Sequence, residues 1–219
     1  MRRTRIKICG VCRPEDARLA VATGADAVGI IRVKVAGRYV EIDQARAIAQ
    51  ALPAFVTPVL VYMDPQPDDI RQDLRDLRRA VACVQLNGKE TAEFVRELGD
   101  VAVVKAVRMD GDAASTLRAF REAKLPNLVG VTLESPGQMG GSGVGNDWTL
   151  VRKLQAEGAF EGLPIIAAGG LSPANVTQIV RDVRPFGVDV SSGVEERKRE
   201  KSERLIREFV DAVRSADEV

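Results

Sequence analysis

The chain has 219 residues, 32 basic and 31 acidic, for a net charge of +1. That length suits one domain of barrel size, able to bury roughly 70% of the surface its unfolded chain exposes, so no disulfide staples are needed. The balanced charge argues against nucleic acid and membrane partners, and the absence of histidine excludes a Ser-His-Asp triad, a Cys-His dyad and His-ligated metal, leaving acid–base work to Cys, Asp, Glu, Lys or Tyr.

Taken in chain order, short β-branched runs alternate with helical patterns. Strands are expected at Arg5–Gly10, Ala27–Ile31, Pro58–Met63, Cys83–Leu86, Val101–Val107, Leu128–Leu133, Pro164–Ala168 and Gly187–Val190. Helices are expected at Pro14–Thr23, Asp43–Leu52, Pro67–Leu77, Glu90–Leu98, Ala114–Lys124, Trp148–Ala156, Pro173–Val183 and Glu203–Ser215. In the last of these, Leu205, Ile206, Phe209, Val210 and Val213 form one apolar stripe. The strands are continuous apolar runs, as buried parallel strands should be. Helix starts are marked by Pro14-Glu15-Asp16, Asp147-Trp148 and Ser172-Pro173. Eight such units predict an α/β chain folded as a single (β/α)₈ TIM barrel over residues 1–219. Cys9-Gly10-Val11-Cys12 after the first strand is not a dinucleotide fingerprint.

Cys9, Cys12 and Cys83 are an odd set with no disulfide framework, which fits a reduced cytoplasmic setting. The basic start leads only into a short strand, which argues against a signal peptide. No apolar run approaches the ~20 residues of a membrane span. Cys9-x-x-Cys12 has redox spacing, but the reading preferred is that Cys9 alone matters. Cys83 opens its strand, at the opposite end of a barrel, and reads as a core residue. The charged run Glu195–Glu203 reads as a solvated loop or helix start. Gly137 to Gly145 reads as a long permissive loop, suited to a lid that closes over ligand.

Barrel active sites lie at the C-terminal ends of strands. That rule selects Lys7, Cys9 and Cys12 after the first strand, and Arg32, Lys34 and Arg38 after the second. It selects Gln85 and Asn87 on the fourth, Lys105 and Arg108 on the fifth, and Thr132 and Glu134 on the sixth. The seventh and eighth strands run into small-residue turns, Ala168-Gly169-Gly170-Leu171 and Ser191-Ser192-Gly193. Two successive turns with free backbone N–H groups are what a phosphate needs. The ligand is therefore expected to be a small phosphorylated molecule.

Lys7-Ile8-Cys9-Gly10, Gly24-Ala25-Asp26-Ala27-Val28-Gly29, Arg38-Tyr39, Val84-Gln85-Leu86, Lys105-Ala106-Val107, Gly140-Gly141-Ser142-Gly143 with Asp147-Trp148, Gly169-Gly170-Leu171 and Val188-Asp189-Val190-Ser191-Ser192-Gly193-Val194-Glu195 follow one another along nearly the whole chain. In that order they resemble phosphoribosylanthranilate isomerase. The resemblance implies an Amadori rearrangement of an aminoaldose phosphate in tryptophan biosynthesis, without metal or cofactor. It implies Cys9 as general base at the sugar C2, Arg38 facing the anthranilate carboxylate and Asp189 on the sugar. Phosphate would sit on Gly169, Gly170, Ser192 and Gly193, with Gly141 and Ser142 from the lid. Lys7, beside Cys9, is expected to lower the thiol pKa, and with Arg38 suits an acidic ligand. Gln85, Asn87 and Lys105 complete the expected binding set.

The chain departs from the family pattern at three ligand-facing places. The family's general-acid aspartate stands at the end of the sixth strand, four residues before a proline, and counting back from Pro136 gives Thr132. A hydroxyl cannot protonate a ring oxygen at neutral pH, so Glu134 is the acid to consider in its place. Asn87 stands where the family usually has histidine, and Arg32 and Lys34 stand where the family has an aromatic-rich segment. The alternatives are a relative acting on another phosphorylated sugar or amino-sugar, and a non-catalytic phosphosugar-binding protein. Monomer and homodimer both satisfy the pattern.

Overall fold

The computed structural model describes residues 3–77, 81, 83–135 and 146–218. Eight parallel strands close into a barrel: β1 (Arg5–Ile8), β2 (Ala27–Ile31), β3 (Thr57–Tyr62), β4 (Cys83–Leu86), β5 (Ala102–Arg108), β6 (Leu128–Glu134), β7 (Ile165–Ala167) and β8 (Gly187–Val190). Each of the first seven leads to a helix: α1 (Pro14–Ala22), α2 (Ile42–Gln50), α3 (Pro67–Asp76), α4 (Ala92–Glu97), α5 (Ala113–Glu122), α6 (Trp148–Ala156) and α7 (Val176–Val183). After β8 comes a 3₁₀ turn at Ser192–Val194, a hairpin of β9 (Glu195–Arg197) and β10 (Glu200–Lys201), and then α8 (Glu203–Asp217). The expected (β/α)₈ architecture is present, and β1 closes it by pairing with β8. Among the described residues no helix is long and apolar enough to cross a membrane.

Strand side chains alternate between two environments. Ile6, Ile8, Val28, Ile30, Leu60, Val84, Leu86, Val131, Leu133, Val188 and Val190 face outward and are buried under the helices. That outward layer is the main core. The inward positions carry Lys7, Gln85, Thr132, Glu134 and Asp189, so the polar groups gather along the barrel axis.

Three local differences from the sequence reading have physical causes. β6 runs on to Glu134, which pairs with Arg108, so the strand end lies one residue later than expected. α4 begins at Ala92 because the Thr91 hydroxyl caps it, accepting from the Phe94 N–H at 3.4 Å. Glu90, expected inside that helix, instead accepts from the Gly88 N–H and pairs with Lys105. The charged run after β8 is not a solvated loop. It folds back as the β9–β10 hairpin and buries Lys201.

Helix α8 seals the seam where the barrel closes. Ile206, Phe209, Val210, Val213 and Ala216 are its buried face. Asp217 accepts from the Thr4 N–H at 2.9 Å, and Arg214 donates to the Thr4 carbonyl at 2.7 Å, tying both chain ends to the closing strands. Phe209 is wholly buried. Phe209→Ala is expected to destabilise the fold by about 3–5 kcal/mol, read as a lower urea midpoint at unchanged slope.

Candidate active site

A pocket opens at the C-terminal ends of the strands. Cys9, Arg38, Gln85, Asn87, Glu134, Gly169, Gly170, Asp189, Ser191 and Ser192 all line it. The expected base, carboxylate ligand, sugar ligand and phosphate turns therefore meet in one place. Opposite the polar groups stand Ile31, Val33, Ala36, Val61 and Met63, an apolar wall beside Arg38. A larger cleft opens between α4 and α5 and shares Asn87 and Glu134 with this pocket.

Cys9 follows β1, its N–H bonded to the Val190 carbonyl at 2.8 Å. Its thiol packs against Gly29 of β2, where a Cβ would lie 2.6 Å from the sulfur. Only glycine leaves room for the thiol there. Beneath it Lys7 donates to Asp189 at 2.5 Å, and both are buried. Burial works against the Lys7 ammonium, but Asp189 and Cys9 outweigh it and hold its pKa above the usual range. Lys7 is expected from sequence as a substrate ligand, yet it lies below the pocket and reaches the site only through Asp189 and Cys9. The expectation of a lowered Cys9 pKa is also reversed. Burial pushes the thiol up, and the opposing pull of Lys7 does not overcome it.

Glu134 comes from the end of β6 and faces into the pocket. Burial pushes its carboxyl pKa up, and the Asp189 charge adds to the rise against Lys7, Asn87 and Arg108. Gln85 donates to the Asn87 carbonyl oxygen at 2.9 Å, which turns the Asn87 amide toward Glu134 at 3.4 Å. Thr132, by contrast, is wholly buried inside the barrel and does not line the pocket. Of the two residues considered for the acid position, Thr132, given by spacing to Pro136, is away from the pocket, and Glu134, considered in its place, lines it. Geometry favours the strand end.

Lys105 is likewise misplaced by the sequence reading. It sits on the outward parity of β5 with Val103 and Val107. Its ammonium donates to the carbonyls of Leu86, Gly88 and Ala106 and pairs with Glu90 at 3.0 Å. It holds the loop after β4 and does not line the strand-end pocket. Gly193 is not in the pocket lining either: a Cβ there would meet the Leu171 carbonyl oxygen at 2.0 Å, so it lets the two turns pack together. Gly141 and Ser142, with the expected lid, lie outside the described residues. Arg32 is taken by Asp73, Tyr39 and the Val40 carbonyl, and Lys34 is exposed. Cys12 is buried with its sulfur 3.5 Å from the Gly10 and Arg38 carbonyl oxygens.

On the phosphate side, Gly169 and Gly170 have φ of +82° and +70° and expose the backbone of their turn to the pocket. Asp189 Oδ1 and Ser191 Oγ are buried and have no hydrogen-bond partner among the described residues. Both residues line the pocket. Buried polar atoms are nearly always satisfied, so these mark where ligand hydroxyl or phosphate oxygens fit. Sequence reasoning placed Ser191 in the turn without singling out its hydroxyl, and it missed Glu195, which holds Arg38, and Lys201, which donates to Glu195. The signal for Ser191 was available, since it directly follows β8.

The family model described as N-(5'-phosphoribosyl)anthranilate (PRA) isomerase matches residues 6–212. The N-(5'-phosphoribosyl)anthranilate isomerase of Methanocella arvoryzae is 37% identical over 216 residues, covering 96% of this chain and 98% of that protein. The crystal structure of the Thermotoga maritima phosphoribosylanthranilate isomerase superposes with a TM-score of 0.85 at 33% identity, covering 97% of this chain and 99% of that one. A phosphoribosylanthranilate isomerase in complex with reduced 1-(o-carboxyphenylamino)-1-deoxyribulose 5-phosphate superposes with a TM-score of 0.82 at 32% identity, covering 97% and 99%. The chain belongs to the N-(5'-phosphoribosyl)anthranilate isomerase family.

Proposed function

We propose that this chain isomerises N-(5'-phosphoribosyl)anthranilate in tryptophan biosynthesis with Cys9 as general base and Glu134 as general acid. The observation that carries the assignment of roles is a buried thiol and a half-buried carboxyl lining one pocket between phosphate-type turns and an arginine. Glu134, whose hold on its proton is strengthened by burial, delivers a proton to the ring oxygen. The bond from that oxygen to C1 breaks as the nitrogen lone pair forms a C=N bond. Cys9 takes the proton from C2, giving an enolamine. Tautomerisation to the ketone adds a proton at C1, so the step is a net isomerisation with no external oxidant or reductant. The Lys7 ammonium is the counter-charge for the thiolate, and Asp189 Oδ1 is placed to accept from a sugar hydroxyl. Phosphate is read onto the turns at Gly169–Gly170 and Ser191–Ser192, and the aromatic ring onto the wall of Ile31, Val33, Ala36, Val61 and Met63.

The alternative of a different sugar substrate loses support. Arg32 faces α3 rather than the ligand, and an acid is present at Glu134. We read the setting as cytoplasmic, in keeping with a biosynthetic enzyme carrying free thiols. At the N-terminal end of the barrel, fully exposed Phe55 and half-exposed Phe186 border a cavity of about 460 Å³. A contiguous apolar rim of this kind favours the homodimer over the monomer. Sedimentation should give a dimer, and Phe55→Glu should give a monomer.

Purified protein should convert phosphoribosylanthranilate, and expression should rescue a tryptophan auxotroph lacking this enzyme; silence in both assays would end the proposal. Glu134→Gln should lower kcat by ~10²–10⁴-fold, the usual worth of a general acid. Thr132→Val should leave turnover near wild type, since that hydroxyl has no partner among the described residues and no access to the pocket. Equal losses in the two variants would return the acid role to an undetermined group.

The same Glu134 variant has a signed pH effect on stability. A carboxyl whose folded pKa is raised carries its stabilising contribution below the unfolded value and loses it as pH rises through the folded value. Glutamine mimics the protonated form. Glu134→Gln should therefore match wild type in thermal midpoint at acid pH, exceed it increasingly as pH rises from the unfolded carboxyl value to the raised folded one, and hold a constant margin above that.

A further inference from the structure

Arg38 is one of the pocket-lining groups, yet most of its contacts are made with the hairpin that follows β8. Its Nε and Nη2 donate to the two carboxylate oxygens of Glu195 at 2.7 and 2.6 Å. Nη1 has no hydrogen-bond partner among the described residues. The Lys201 ammonium donates to Glu195 at 3.1 Å and to the Ser191 carbonyl at 2.9 Å. The Lys201 side chain is completely buried, and those of Glu195 and Arg38 are 5% and 11% exposed. Arg199 of the same hairpin donates to the carbonyls of Gly37 and Tyr39, on either side of Arg38. The Arg38 stem lies over Gly10, where a Cβ would come within 2.5 Å of its Cδ and 2.9 Å of the Ser191 hydroxyl.

Taking two cations and an anion out of water is costly, and such a cluster adds little to fold stability. Its effect is geometric. A bidentate carboxylate locks a guanidinium in one plane. Glu195 alone would cancel the charge of Arg38, and the buried Lys201 restores one positive charge to the group. Ser191 belongs to the turn read as holding phosphate, so Lys201 also joins the two ends of the pocket.

We propose that the β9–β10 hairpin is the positioning device for substrate specificity: Glu195 fixes the Arg38 guanidinium so that Nη1 is left for the ring carboxylate, and Lys201 keeps the cluster cationic while tying it to the phosphate turn. This rests on the reading that Arg38 receives that carboxylate. Glu195 and Lys201 are positioning residues, acting through Arg38.

The test measures, on each preparation, the ratio of kcat/KM for phosphoribosylanthranilate to that for phosphoribosylaniline, which lacks the carboxylate. Loss of folded protein lowers both values together and cancels in the ratio. Glu195→Asp keeps every charge but draws the guanidinium back, and should lower the ratio about tenfold or more. Lys201→Met keeps the clamp but removes one charge, and should lower it about tenfold, chiefly through KM for the carboxylated substrate. Arg38→Lys, which cannot offer the fork, should lower it at least as far. If Arg38→Lys lowers the ratio while both hairpin variants leave it unchanged, the positioning role is overturned. If Arg38→Lys leaves it unchanged as well, the carboxylate reading beneath the proposal is wrong and the proposal goes with it.

Discussion

Closure of the barrel between β1 and β8 is the constraint on which the rest depends. The closing register sets Lys7 opposite Asp189, and both side chains point inward. A lysine and an aspartate from opposite ends of the sequence thereby meet in a buried ion pair. Such a pair contributes little net stability once its desolvation is counted, but a shift of one strand by one residue would turn its charge out under the helices and leave the other buried without its partner. Cys9 follows two residues after Lys7, on the same parity, and so sits above the ammonium. Base, counter-charge and sugar ligand are all set by one strand pairing.

Burial then decides the protonation states. The same exclusion of water raises the thiol of Cys9 and the carboxyl of Glu134. For Glu134 this is useful at rest, because an acid must hold its proton. For Cys9 it works against the resting thiolate, and Lys7 supplies the opposing attraction. Only the thiolate can take the C2 proton in the proposed mechanism, and the buried Lys7 ammonium is the fixed cation that favours that form against burial. Asn87 works against the rise at Glu134: its amide donates to that carboxyl because Gln85 occupies its carbonyl oxygen.

The third element is the hairpin after β8. Its pairing sets Lys201 opposite Glu195 on the side of the barrel, while Glu196, Arg197 and Lys198 are exposed. A charged run of mixed sign looks uniformly solvated when read as composition, yet Glu195 is taken by Arg38 and Lys201 by Glu195. What distinguishes them is their registration on two short strands, a long-range property.

Much was legible from the sequence alone. Continuous apolar strands alternating with amphipathic helices determined the barrel, because parallel strands covered by helices leave no polar face. Small-residue turns after β7 and β8 suggested where a phosphate would be read, since such turns expose free N–H groups, and the strand-end rule selected Cys9, Arg38, Gln85 and Asn87, which line one mouth together with Asp189, a residue implied by the family resemblance. Tertiary structure alone decided inside from outside at the margins. Lys105 and Thr132 both sit on strands next to genuine pocket residues, but one faces the helices and the other lies too deep along the axis. The proposed acid turns on where β6 ends, at the pairing of Glu134 with Arg108 on β5, and not on spacing to a proline. Direction of pKa shift was equally out of reach, because the balance between burial and a neighbouring charge depends on how completely the closed barrel excludes water.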